Sequence, residues 1–135
     1  MARLTLYSWH QQRFDARTTP AAPVLSLQIA GPDENDWLAV PHALVDTGAD
    51  ATMIPDALLS QIQAVEWDQA RLRSQWGEFR VVYRYEIDIR IADRTFPSVL
   101  VVADDIGDEV IIGRNLLAQL RFFYEGPDLR LTLIE

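Results

Sequence analysis

The chain has 135 residues, 49% hydrophobic and 24% charged, which fits one globular domain with enough apolar surface for a core and excludes a wholly disordered chain. Twenty acidic residues against twelve basic ones give a formal charge of −8; every basic residue is Arg and none cluster, so nucleic acid is disfavoured as a partner. The absence of Cys removes disulfides, zinc–thiolate sites and a cysteine nucleophile, and it suits a reducing compartment such as the cytoplasm.

Residues 1–23 read as an N-terminal arm. Its apolar start is broken at Ser8 and His10-Gln11-Gln12, too soon for a signal peptide, and Thr18-Thr19-Pro20-Ala21-Ala22-Pro23 looks like a joint to a domain of residues 24–135. Leu25, Leu27 and Ile29 alternate with Ser26 and Gln28, which predicts a half-buried strand. That strand stops at the turn-rich Gly31-Pro32-Asp33-Glu34-Asn35-Asp36, and Trp37 to Val40 heads back.

Pro55 suits the first turn of a short helix carrying Leu58, Leu59 and Ile62 on one side. Tyr83, Tyr85, Ile87, Ile89 and Ile91 alternate with Arg84, Glu86, Asp88 and Arg90, which predicts a long strand with one wet face. Val99 to Val102 is continuously apolar, as in a strand covered on both sides. Arg114 to Leu120 predicts a helix with Leu116, Leu117 and Leu120 together, Phe122 to Leu129 a strand and turn, and Leu129, Leu131 and Leu133 a final alternating strand. The expected fold is all-β, a partly closed barrel with one short C-terminal helix. No apolar run approaches the ~20 residues that span a bilayer, so no membrane role is expected.

Two motifs carry chemistry. Asp46-Thr47-Gly48 follows the apolar run Ala43-Leu44-Val45, and Val110-Ile111-Ile112-Gly113-Arg114-Asn115 comes later. An Asp ending a buried strand in a tight Thr-Gly turn holds its carboxylate out of the sheet, and a glycine in the second motif lets that segment pack close behind the turn. An Asp-Thr-Gly alone is more often an ordinary Asx-type turn, whereas both motifs in this order are specific.

Together they resemble the retropepsins, the single-domain aspartic proteases of retroviruses and their cellular and bacterial relatives, over roughly Val24 to Leu120. The resemblance implies peptide hydrolysis with Asp46 as the catalytic aspartate. It also implies a Thr47 hydroxyl that bonds across a dimer and a Gly48 backbone that lies against substrate. Asp50 and Arg114 match an ion pair that locks loop to helix, expected to be partly buried. A flap hairpin is implied, and Arg73-Ser74-Gln75-Trp76-Gly77-Glu78-Phe79 is its candidate, with Trp76 and Gly77 toward substrate. The segment is poorer in glycine than retroviral flaps, and Ala51 stands where retroviral enzymes often carry an acidic residue. The start is longer than in retroviral enzymes and the end reads as a hairpin, which resembles the cellular and bacterial relatives and suggests that the final hairpin serves the interface.

Hydrolysis by a carboxylate pair needs one group ionised and one protonated. Two carboxyls about 3 Å apart meet that need because they cannot both ionise. The chain has one Asp-Thr-Gly; Asp105-Ile106-Gly107 lacks the hydroxyl and has no second Ile-Ile-Gly after it, and 135 residues leave no room for two lobes. The second aspartate is therefore expected from another copy of the chain.

The functional expectation is a homodimeric aspartic endopeptidase acting on peptide or protein substrates without a cofactor. The alternative is a non-catalytic dimeric peptide-binding module with the same fold. Metal-dependent hydrolysis trails both. Asp104, Asp105, Asp108 and Glu109 lack EF-hand spacing and read as a solvated loop, and His10 and His42 stand alone, so no metal is expected.

Overall fold

The computed structural model describes residues 6–32, 36–74 and 76–135. Asp33, Glu34 and Asn35 of the expected turn, Met1 to Thr5 and Gln75 of the candidate flap lie outside them. The alternation at Leu25, Leu27 and Ile29 gives β2 (Val24–Ala30), where these three side chains are at most 3% exposed. It pairs antiparallel with β3 (Leu38–Val45), which delivers the chain to Asp46. After the Asp46 loop come β4 (Thr52–Pro55) and the short helix α1 (Asp56–Gln61), which has Pro55 as its N-cap residue and packs Leu59 into the core, joined there by Ile62 just after its end.

The strands β5 (Val65–Arg73) and β6 (Phe79–Ile91) form a long hairpin, and β6 continues antiparallel beside β7 (Arg94–Asp104). The two-residue β8 (Ile111–Ile112) lies between β3 and β4, parallel to the first. The order β2-β3-β8-β4-β7-β6 is closed by pairing of β2 with β6, a barrel of six strands, and β5 is attached outside it on β6. Closure leaves one interior, filled by Leu25, Ile29, Ile54, Ile87, Ile89, Val101 and Ile112 among others.

A second sheet has the order β1-β10-β9, with β1 (Ser8–Arg13), β9 (Arg121–Glu125) and β10 (Arg130–Ile134) all antiparallel. Thus part of the N-terminal arm is a strand laid against the end of the chain. Leu25, Val45, Leu117, Phe122, Leu131 and Leu133 line one small apolar void, so this sheet packs directly beneath the strand that carries Asp46.

Three local expectations are corrected. The helix after Ile112-Gly113 is α2 (Arg114–Leu117), one turn rather than seven residues; Gln119 and Leu120 continue as turns that let the chain enter β9. Leu129 is not in the last strand: with φ +50 and half its surface exposed, it closes the turn before β10. The wet and dry faces expected for Tyr83 to Ile91 hold from Ile87 onward but fail at the start, where Tyr83 is 45% exposed and Val82 is 5%. The reason is that the first half of β6 leaves the barrel and pairs with β5, so a different face becomes the covered one.

Candidate active site

The parallel pairing of Leu44 with Ile111 and Val45 with Ile112 ends where the Asp46 N–H donates to the Ile112 carbonyl at 3.0 Å. Asp46 thus leaves a buried strand as its last tethered residue, half-exposed, with Thr47 and Gly48 exposed after it. The Gly48 N–H donates to Asp46 Oδ1 at 2.9 Å and the Ala49 N–H to the Asp46 carbonyl at 3.2 Å. These bonds shape a tight turn around the carboxylate and leave its Oδ2 without a hydrogen bond among the described residues. A Cβ on Gly48 would stand 3.2 Å from Asp46 Oδ1, close enough to press on the group that the turn presents.

The second motif lies behind the loop. Gly113 is buried, and a Cβ there would come within 2.4 Å of the backbone carbon and oxygen of Ala51, so only glycine permits this approach. The Arg114 N–H donates to the Ala49 carbonyl at 2.8 Å, and Arg114 Nη1 donates to the Thr47 carbonyl at 3.0 Å. Its Nη2 makes the ion pair with Asp50. The pair forms, but it is not partly buried as expected: the side chains are 54% and 84% exposed. Both stand on the outer side of the loop, where the chain alone provides no cover.

Sequence reasoning missed what holds the loop from inside. Thr52 is fully buried; its N–H and hydroxyl both donate to Asn115 Oδ1, at 2.9 and 2.8 Å, and its hydroxyl accepts the Gly113 N–H at 3.1 Å. Asn115 Nδ2 donates to the Leu100 carbonyl at 2.8 Å. One polar network therefore ties β4, α2 and β7 together under the Asp46 turn. The available signal was a lone hydroxyl residue in the apolar run from Thr52 to Pro55, together with an Asn directly after Gly113-Arg114.

Asp46, Thr47, Gly48, Asp50 and Arg114 are brought together in one loop cluster. Trp76 and Gly77 are elsewhere, at the turn of the β5–β6 hairpin, with no hydrogen bond or ion pair to that loop among the described residues. The Ser74 N–H donates to the Glu78 carbonyl at 2.8 Å, and Gly77, at φ +84, donates to the Ser74 carbonyl at 3.0 Å. Trp76 is 82% exposed at this tip.

The acidic loop is tied back to the same hairpin through an ion pair of Asp105 with Arg80, while Asp104 Oδ1 accepts the N–H groups of Ile106 and Gly107. His42 is exposed on β3, and His10 lies on β1 with a buried, unpartnered Nε2. Among the described residues, no three His, Cys, Asp or Glu side chains gather as a metal site, and no helix is long and apolar enough to cross a membrane.

The comparisons agree with this geometry. A family profile described as retroviral aspartyl protease matches residues 19–123. A retropepsin-like aspartic protease from Rickettsia conorii has the same fold with a TM-score of 0.61 at 14% identity, covering 99% of this chain and 97% of that one. An EIAV protease solved with an inhibitor superposes with a TM-score of 0.56 at 19% identity, covering 73% of this chain and 86% of that one. No curated protein sequence matches. With the Asp-Thr-Gly turn and its glycine backing in place on this barrel, the chain belongs to the retroviral aspartyl protease family and is an aspartic endopeptidase.

Proposed function

We propose that two copies of the chain associate about a two-fold axis that sets their Asp46 carboxylates side by side. The observation that carries this reading is the single Asp46 per chain, presented half-exposed at a barrel end, its carboxylate bonded among the described residues only to its own loop. Alone, it can accept a proton or supply one, but hydrolysis needs both at once. In the pair, one carboxylate takes a proton from the attacking water while the other donates to the carbonyl oxygen of the peptide. The Thr47 hydroxyl reaches the partner's loop. Gly48, with Trp76 and Gly77 at the hairpin tip, aligns an extended substrate as an added strand. Residues 24–135 are the catalytic domain, acting in the cytoplasm.

The final hairpin supports such an assembly. The β9 strand is an outer strand of its sheet, with an edge unpaired among the described residues, and Phe123 and Tyr124 on it are 43% and 59% exposed. An isologous contact pairs this edge with itself antiparallel, beneath the two Asp46 loops.

The test combines native mass measurement with cleavage of a peptide library between about pH 4 and 7, where a carboxylate pair works. Dimeric mass with turnover lost in Asp46→Asn, blocked by a pepstatin-like analogue and kept with a chelator is the expected result. Full turnover by a monomer would overturn it.

A further inference from the structure

The β5–β6 hairpin turns its apolar side chains outward. Phe79, Val81 and Tyr83 stand opposite Arg73, Arg71 and Gln69 in the antiparallel register, so the six share one face. The three apolar residues are 57%, 58% and 45% exposed, whereas Ala70, Leu72 and Val82 on the other face are covered to a greater degree. A hairpin side facing only water would ordinarily be polar. The guanidinium groups of Arg71 and Arg73 lie 4.6 and 5.8 Å from the centre of the Phe79 ring, and neither enters an ion pair among the described residues. Beside them β5 ends the seven-stranded sheet, its outer edge unpaired among the described residues.

We propose that this face and the β5 edge form a docking surface for an extended segment of the protein substrate that alternates apolar and acidic residues and is separate from the segment cleaved. Charge selects the occupant. On a chain of net charge −8, two cations without a carboxylate partner are gathered on one apolar face, so an acidic segment repelled by the general surface is attracted here. Its apolar side chains cover Phe79, Val81 and Tyr83, and its main chain pairs with the open β5 edge. Ring stacking already orders the arginines, so less freedom is lost when the segment binds. That the occupant is a substrate rests on the peptide-hydrolase reading; the surface itself does not.

The experiment uses the full chain with Asp46→Asn, so that nothing is cleaved, and a labelled peptide alternating Glu with Val and Phe. The same peptide with Lys in place of Glu is the control. Saturable binding of the acidic peptide is expected, weakened by added salt and by roughly tenfold or more in Arg71→Glu/Arg73→Glu. That variant should in turn prefer the Lys peptide, a reversal that a misfolded hairpin would not give. Equal binding of both peptides, or affinity untouched by the charge reversal, overturns the proposal. Association of dimers through this face, abolished by Val81→Glu, would make a second copy the occupant and overturn it also. Turnover by the unsubstituted protein is measured separately on short peptides; binding without turnover removes the hydrolase reading and leaves the surface standing.

Discussion

Asn115 Oδ1 accepts both the N–H and the hydroxyl of Thr52, and that hydroxyl in turn accepts the N–H of Gly113. Two residues 63 positions apart thereby fix the distance between the strand after the Asp46 loop and the helix behind it. Thr52→Val keeps the shape but leaves the Gly113 N–H unpaired and removes one of the two donors to Asn115. A loss of about 1 to 3 kcal/mol is expected, the usual cost of an unsatisfied buried polar group. Denaturant melts of the two proteins check it, and an unchanged midpoint would refute the network's importance.

Gly113→Ala places a methyl within 2.4 Å of the Ala51 backbone, where no side-chain rotation relieves it. Overpacking of this kind costs roughly 1 to 3 kcal/mol or more, and the shift falls on the loop that begins at Asp46. Proteolytic turnover should fall more than thermal stability suggests, since a small displacement misaligns the carboxylate.

Arg114→Ala and Asp50→Asn should differ. Both remove the same exposed ion pair, which in a single chain is worth about 1 kcal/mol or less. Arg114→Ala also removes the bond to the Thr47 carbonyl and so should destabilise more. Melting each variant at dilute and at associating concentrations shows whether assembly buries the pair; a cost that grows with association means that it does.

Acid should loosen the final hairpin. The Arg130 guanidinium, 2.6 Å from Glu125, together with the Thr132 hydroxyl holds the Glu125 carboxyl below its ordinary value of 4.5. Its folded value is depressed, so the stabilisation is complete above the ordinary value and is lost as pH falls through the lowered one. Amide protection factors in residues 121–134, which correct for the intrinsic pH dependence of exchange, should fall there. Glu125→Gln should remove that pH dependence.

Replacing Phe123 by Glu puts a charge on the β9 edge. Under the proposed assembly, the native mass should become monomeric and hydrolysis should cease, while the circular dichroism spectrum stays the same. A dimer that persists would place the interface elsewhere.

Much of this protein was legible in its residues because the information was local. The strand at Leu25 to Ile29, the covered run at Val99 to Val102 and the short helix after Pro55 follow from period and punctuation. The tight turn at Asp46 follows from Asp46-Thr47-Gly48 with a later glycine to back it. That each chain brings one such turn is a matter of counting. Tertiary structure decided what depends on the second side of an element. It set Thr52 against Asn115, since no periodicity marks a hydrogen bond across 63 residues. It left Asp50 and Arg114 in the open, since motif spacing fixes a partner but not what covers it. It turned Tyr83 outward and Val82 inward, because β6 exchanges the barrel for β5 midway along its length. It also laid β1 against β10, a pairing that only folding brings into reach, because side-chain alternation states which face is apolar and never which strand will meet it.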